Sequence, residues 1–363
     1  MLLQNRQRRS RASLKTFQSY KIKLPTRTHS TQDFIMNLIT KLPHFILSIF
    51  LTLPTQFATA QPTSPELLSK YSPDDIAATH EIWHISTRSL AQYDKLDRDV
   101  DQIEYLQLVS GQWQSRSAEL FNAPKDIDTC FLIHGSPASA ELVLSVTLDV
   151  YQHIRPVVTD STRFRYVIWS WPADRQVGGI VKEFKDQAIR AQPQGYYLAR
   201  VLDRCRANNR TLVVGYSMGA RVSACALHLL GGGTNPYTPR LESQSDRKVT
   251  YLTVGGAIDQ DWLESGKYFG NALTVVDQYL NVHNPADPLL KRYKKLTPRK
   301  MEPGIAIGYD GLANIASLKS FGIPTKEINV TETAGKSHDI RYITRDVNLL
   351  TKIWTTSFPP SNK

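Results

Sequence analysis

The chain has 363 residues, with 44 Lys/Arg against 33 Asp/Glu, 41% hydrophobic residues and three cysteines. That apolar fraction over that length builds a sizeable core and excludes an intrinsically disordered chain, and so few cysteines exclude a disulfide scaffold. The formal charge of +11 is uneven: residues 1–35 hold eight Lys/Arg against one acid, Asp33, and the chain from Gln61 carries only +3, so the basic balance says little about partners.

In chain order, residues 1–35 show no sustained apolar periodicity and read as a basic extension without packed structure, an over-long gene start ahead of Met36. "RQRRSR" (6–11) lacks interleaved aromatics or a recognition motif, so no nucleic-acid partner is expected. Residues 36–60 run from Lys41 through an apolar stretch, Phe45 to Leu53, to Ala58-Thr59-Ala60. A basic start, an apolar centre too short to cross a bilayer comfortably, and a small-residue end predict a signal peptide cleaved after Ala60. The protein would then be exported, periplasmic or secreted, and meet a membrane only in transit. An uncleaved membrane anchor is the other reading of the same segment.

Residues 61–80 read as a linker and leading helix, and 81–363 as a single domain. Strands are predicted at 81–87 and 102–110 with no clear helix between them. After them strand and helix alternate. Strand 129–135 precedes helix 140–154, strand 164–172 precedes helix 179–206, and strand 211–214 precedes a helix from Met218. Strand 248–256 precedes a short amphipathic piece near 260–268. Strands 277–284 and 326–332 and a helix near 343–355 close the chain. The later strands are continuous apolar runs such as "RTLVVGYS", as strands buried on both faces should be. The prediction is an α/β fold with a mostly parallel sheet of about eight strands and helices on both faces. Functional groups should gather just beyond the carboxyl ends of its strands.

One residue does so at once. In "VVGYSMGA" Ser217 lies between a strand and a helix, flanked by Gly215 and Gly219. A tight strand-to-helix turn lifts the serine hydroxyl above the sheet, and glycines admit the close approach of the two elements. The same turn sets the Met218 N–H at a helix N-terminus, where negative charge is favoured. A serine hydroxyl needs a base to take its proton, and the base needs a carboxylate to orient it. Three histidines follow Ser217. His228 lies on the ensuing helix and His283 on a strand before the acid candidate, which leaves His338, on the glycine-containing loop "TAGKSHD". Asp287, just after the strand 277–284, is the preferred acid, with an N-cap as its bland alternative; Asp259 is the alternative acid. A second amide donor is expected in "HGSPASA", where Gly135 opens the loop and the Ser136 N–H is the candidate, since Pro137 has none. His134 is read as holding that loop.

"FLIHGSP", "VVGYSMG", "VHNPADP" and "GKSHD", in that order, resemble the α/β-hydrolase superfamily, over about 129–355, and "VIWSWPADR" and "GGAIDQDWL" look like uncharacterised bacterial members. The resemblance implies Ser217 as nucleophile, Asp287 as orienting acid, His338 as base, and the amides of Met218 and Ser136 as an oxyanion hole. It implies carboxylic-ester hydrolysis without metal or cofactor, and since no large mobile lid can be read from the sequence, a small or medium ester is the expected substrate. The alternatives are peptidase, thioesterase or acyltransferase chemistry on the same triad, or a non-catalytic binding protein. Tyr216 stands where many relatives have His. Residues 293–325 are long enough to cover the site, whether or not as a lid, and Trp169, Trp171 and Tyr216 near the strand ends are either an apolar wall of the acyl pocket or core and rim packing. Of the three cysteines, an odd count that leaves at least one thiol free or paired with another chain, Cys130 on a strand and Cys225 on a helix are expected to be buried, and Cys205 is left open.

Overall fold

A computed structural model describes residues 79–90, 96, 100–158, 163–175, 178–205, 210–242, 248–301, 303–320 and 322–358. The basic extension, the signal peptide and nearly all of the linker and leading helix lie outside the described residues. The described residues build a nine-stranded sheet: β1 (His80–Ser86), β2 (Glu104–Val109), β3 (Gln112–Arg116), β4 (Asp128–Ile133), β5 (Phe164–Ser170), β6 (Thr211–Tyr216), β7 (Val249–Val254), β8 (Val276–His283) and β9 (Thr325–Asn329). The order across the sheet is β3-β2-β1-β5-β4-β6-β7-β8-β9. β2 is antiparallel to both neighbours, and every other adjacent pair is parallel.

The sheet thus has one strand more than expected. β2 and β3 form a hairpin whose turn residues, Ser110 and Gly111, both have positive φ (49° and 75°). Such a turn follows the right-handed twist of the paired strands. β3 reads QWQSR and sits on the sheet edge, so it shows no apolar face to a pattern search.

Side chains alternate between two cores, as the period of two in a strand requires. On β5 Val167 and Trp169 enter one core, and Tyr166 and Ile168 the other; β6 divides the same way, Val213 against Leu212 and Val214. The second core is covered by α1 (Ala140–Ile154) together with the last helix. On the first face lie α2 (Ile180–Arg204) and α3 (Gly219–Leu230). These two pack closely because a Cβ on Gly195 would come within 2.6 Å of the Cys225 Cβ, so only glycine admits the crossing. The closing helix is in fact two, Ile340–Thr344 and α4 (Val347–Ser357). Asp339 caps the first by accepting from the Arg341 N–H and Asp346 the second by accepting from the Leu349 N–H, so the chain turns between them. The amphipathic piece near 260–268 is a run of turns, not a helix. The three cysteines are buried and none forms a disulfide.

Candidate active site

β4, β6 and β7 end side by side, with Ile133 in register with Gly215 and Gly215 with Thr253. The chain therefore leaves the sheet at one edge in three adjacent places. Ser217 follows β6 with φ +53°, the left-handed region that costs a non-glycine residue about 1–2 kcal/mol. Three backbone hydrogen bonds hold it there. Its N–H donates to the Val254 carbonyl at 3.0 Å, and its own carbonyl accepts from Ala257 at 2.9 Å and Ala220 at 3.1 Å. The flanking glycines are steric necessities. A Cβ on Gly219 would run into the Ile133 carbonyl, and one on Gly215 into Ser223 Oγ and the Ala220 backbone. Gly135, opening the loop after β4, would place a Cβ 2.8 Å from the Ser217 Cβ.

His338 arrives from a loop beyond β9 and Asp287 from a turn beyond β8. His338 Nδ1 lies 2.5 Å from Asp287 Oδ2, and Nε2 lies 2.8 Å from Ser217 Oγ. A carboxylate only accepts, so Nδ1 carries the ring proton and Nε2 is left to accept from the serine hydroxyl. The other oxygen of Asp287 accepts from the N–H groups of Leu289 (2.8 Å) and Leu290 (3.2 Å), which fixes the carboxylate plane. Asp287 is 1% exposed and Ser217 3%, so these bonds run where water competes little.

The topology and this turn together decide the architecture. The fold is that of an α/β hydrolase. No family model matches the chain and no curated protein does. Solved structures that it is similar to include a gene product of Listeria innocua (11% identity, TM-score 0.35, covering 66% of this chain and 96% of that one). An inhibited esterase B from Lactobacillus rhamnosis is similar at 12% identity and TM-score 0.35 (80% and 93%). A thermophilic esterase from the planctomycete Thermogutta terrifontis is similar at 9% identity and TM-score 0.30 (75% and 96%). At such identities and scores the likeness carries no argument about activity.

The other candidates fall into place around these three residues. The Met218 N–H stands at the start of α3, and Ser136, 9% exposed, follows Gly135. Neither backbone N–H donates to a protein acceptor among the described residues. His134 is not a base. Its Nδ1–H donates to the Gly135 carbonyl at 2.6 Å and its Nε2 accepts from the Trp171 N–H at 3.2 Å. Its ring stacks on that of Trp171, whose indole N–H donates to the His134 carbonyl at 2.9 Å. Burial, with the Arg88 charge nearby, holds the imidazole well below its ordinary pKa, so it stays a neutral strut of the loop.

Asp259, the alternative acid, faces elsewhere. It accepts from the Tyr293 hydroxyl at 2.5 Å and from the Gly304 N–H, and burial raises its pKa. Tyr293 in turn accepts from Arg221 Nη2 at 3.0 Å, and this guanidinium lies 4.7 Å over the Trp262 ring. The network pins the segment 293–308 against the helix that follows the serine. Further bonds, Ile307 N–H to the Ile258 carbonyl and Gly308 N–H to the Gly256 carbonyl, dock it closely. The stretch long enough to cover the site is at 293–308 a packed strap: Tyr293, Met301, Ala306 and Ile307 are all buried. Of the two readings of the aromatics, Trp169 and Trp171 take the core one, both fully buried, and Tyr216 stands against His338.

Two residues escaped the sequence reading. Asn284, the first residue after β8, donates through Nδ2 to the carbonyls of Gly335 (2.9 Å) and Ser337 (3.2 Å). It ties the acid's turn to the histidine's loop. Its signal was the Asn-Pro pair after a strand, a turn former. Arg88, two residues beyond β1, donates to Ser170 Oγ (2.8 Å), Asp174 (2.7 Å) and the Ala138 carbonyl (3.0 Å), which anchors the loop of Ser136. Nothing in its local sequence distinguishes it. Among the described residues no three His, Cys, Asp or Glu side chains gather as ligands for a metal ion.

Proposed function

We propose that the protein is an exported serine hydrolase that cleaves a carboxylic ester through an acyl-enzyme. The observation that carries this reading is the Ser217–His338–Asp287 chain, with 2.8 Å from Oγ to Nε2 and 2.5 Å from Nδ1 to the carboxylate. His338 Nε2 takes the Ser217 proton as Oγ attacks the ester carbonyl carbon. The imidazolium that forms faces the Asp287 carboxylate. The tetrahedral oxyanion is held by the N–H groups of Met218 and Ser136, each such donor being worth roughly 3 kcal/mol in the transition state. His338 then gives its proton to the departing alkoxide. Water enters, gives a proton to Nε2, attacks the acyl carbon and releases the acid as Ser217 regains its proton.

The substrate is a small or medium ester. The docked strap at 293–308 and the run of turns at 259–271 argue against a large mobile cap between β7 and β9. Export rests on residues 36–60, and N-terminal sequencing of protein collected outside the cytoplasm should begin at Gln61. A chain retaining residues 36–60 in the membrane fraction contradicts that. A panel of p-nitrophenyl esters of increasing acyl length, thioesters and peptide amides tests the chemistry. Turnover of short and medium esters, lost in Ser217→Ala, supports the reading; preference for amides or thioesters reassigns the reaction, and no turnover of any member overturns it.

A further inference from the structure

Tyr216 is the residue before the serine, and it is bound up with the histidine instead. Its ring stacks on the His338 imidazole, with centroids 5.5 Å apart and planes 28° from parallel. Its hydroxyl donates to the His338 backbone carbonyl at 2.8 Å. One side chain thus touches His338 at both its ring and its backbone, 122 positions along the chain. The loop carrying His338 has few other anchors: Asn284 holds Gly335 and Ser337 ahead of it, and Asp339 turns away to cap the next helix. The position of Tyr216 is itself rigid. It ends β6 in register with Val254, and the strained serine follows at once.

We infer that Tyr216 is a positioning residue for the base, fixing the His338 ring plane by stacking and the His338 backbone through its hydroxyl. This inference rests on the reading of Ser217 and His338 as nucleophile and base. The geometry explains why the two contacts belong on one residue. Asp287 fixes Nδ1, but a ring held at one nitrogen still pivots about that bond. Stacking removes the rotation out of plane, and the carbonyl bond stops the loop from sliding along the face. Desolvation pushes the phenol pKa above its ordinary value, so the hydroxyl remains a donor throughout the pH range of an assay. Base and nucleophile must meet within a few tenths of an ångström, and small misplacements lower rates by up to about 100-fold.

Tyr216→Phe keeps the ring and removes the hydroxyl. It should leave KM for a short p-nitrophenyl ester unchanged and lower kcat about 5- to 50-fold. The second-order rate of fluorophosphonate labelling should fall by the same factor, because labelling also needs His338 to take the serine proton. Tyr216→Leu removes both contacts and should lower both rates further. Thermal unfolding and circular dichroism report whether each variant is folded, and the comparison uses Phe if Leu is not. A merely structural tyrosine would lower the melting temperature of Tyr216→Phe and leave kcat and labelling at wild-type values, which overturns the inference. A loss confined to KM does the same. Failure of wild type to label at all sinks the hydrolase reading itself, a result distinct from equal labelling of wild type and variant.

Discussion

Asp287→Asn is the sharpest perturbation the site offers. The two carboxylate oxygens have different partners, Oδ2 the imidazole Nδ1 and Oδ1 the Leu289 and Leu290 N–H groups. An asparagine has one acceptor and one donor end. Turning the NH2 toward the two backbone donors would leave both unpaired and buried, at about 1–3 kcal/mol each. The side chain therefore keeps its oxygen on those amides and presents NH2 to His338. Nδ1 must then accept, the ring proton moves to Nε2, and Nε2 opposes the Ser217 hydroxyl proton instead of receiving it. The substitution is isosteric, so stability should change by no more than about 2 kcal/mol, while kcat falls by about 1,000- to 10,000-fold from the wrong tautomer. Stopped-flow hydrolysis of a p-nitrophenyl ester, with thermal unfolding in parallel, measures both. A folded Asp287→Asn enzyme within tenfold of wild type would refute the reasoning, since a base of correct tautomer would then not depend on this carboxylate.

Further predictions concern stability and the alternative acid. His84 is buried in β1, with neither ring nitrogen bonded among the described residues, and burial pushes its pKa down from 6.5 to about 3. Between those values the unfolded chain binds the proton and the folded one does not, so stability falls as pH drops from about 6.5 and levels off near 3, by on the order of 4 kcal/mol in all. Urea unfolding should show His84→Leu losing stability less steeply than wild type from pH 7 to pH 4, and parallel curves would contradict this. Asp259→Asn should lower stability by about 1–3 kcal/mol by weakening the bonds to Tyr293 and Gly304, yet keep kcat within a few-fold. A large loss of kcat with unchanged stability would return Asp259 to the chemistry.

Much of this fold was legible because the inner strands leave two independent marks. β4 to β7 are apolar on both faces, and each is followed by glycine-bearing turns or a helix. β3 was hidden because an edge strand of Gln, Trp, Gln, Ser and Arg buries too little to leave a pattern, although the Ser110-Gly111 turn before it was a usable signal. The piece near 260–268 has apolar residues at helical spacing, yet Trp262, Leu263 and Phe269 enter the core from successive turns. At the site, the glycine-flanked strand-to-helix turn singled out Ser217 and chain order then Asp287 and His338, and strand ends explain how they meet. The preference for Asp287 over Asp259 had only order to rest on. The physical reason lies in partners that sequence does not disclose: Asp259 is occupied by Tyr293 and Gly304, and Asp287 is aimed by two amides. Tyr216, Asn284 and Arg88 act through contacts with residues distant in the chain, partners that a local pattern does not name.

The central claim is that His338 activates one hydroxyl among all those in the chain. Incubation with a fluorophosphonate, followed by intact mass and peptide mapping, tests it most directly. The account predicts one adduct per chain, located on Ser217, absent from Ser217→Ala and strongly slowed in a folded His338→Gln variant. An adduct on another residue, or labelling of Ser217 at the same rate without His338, would contradict it.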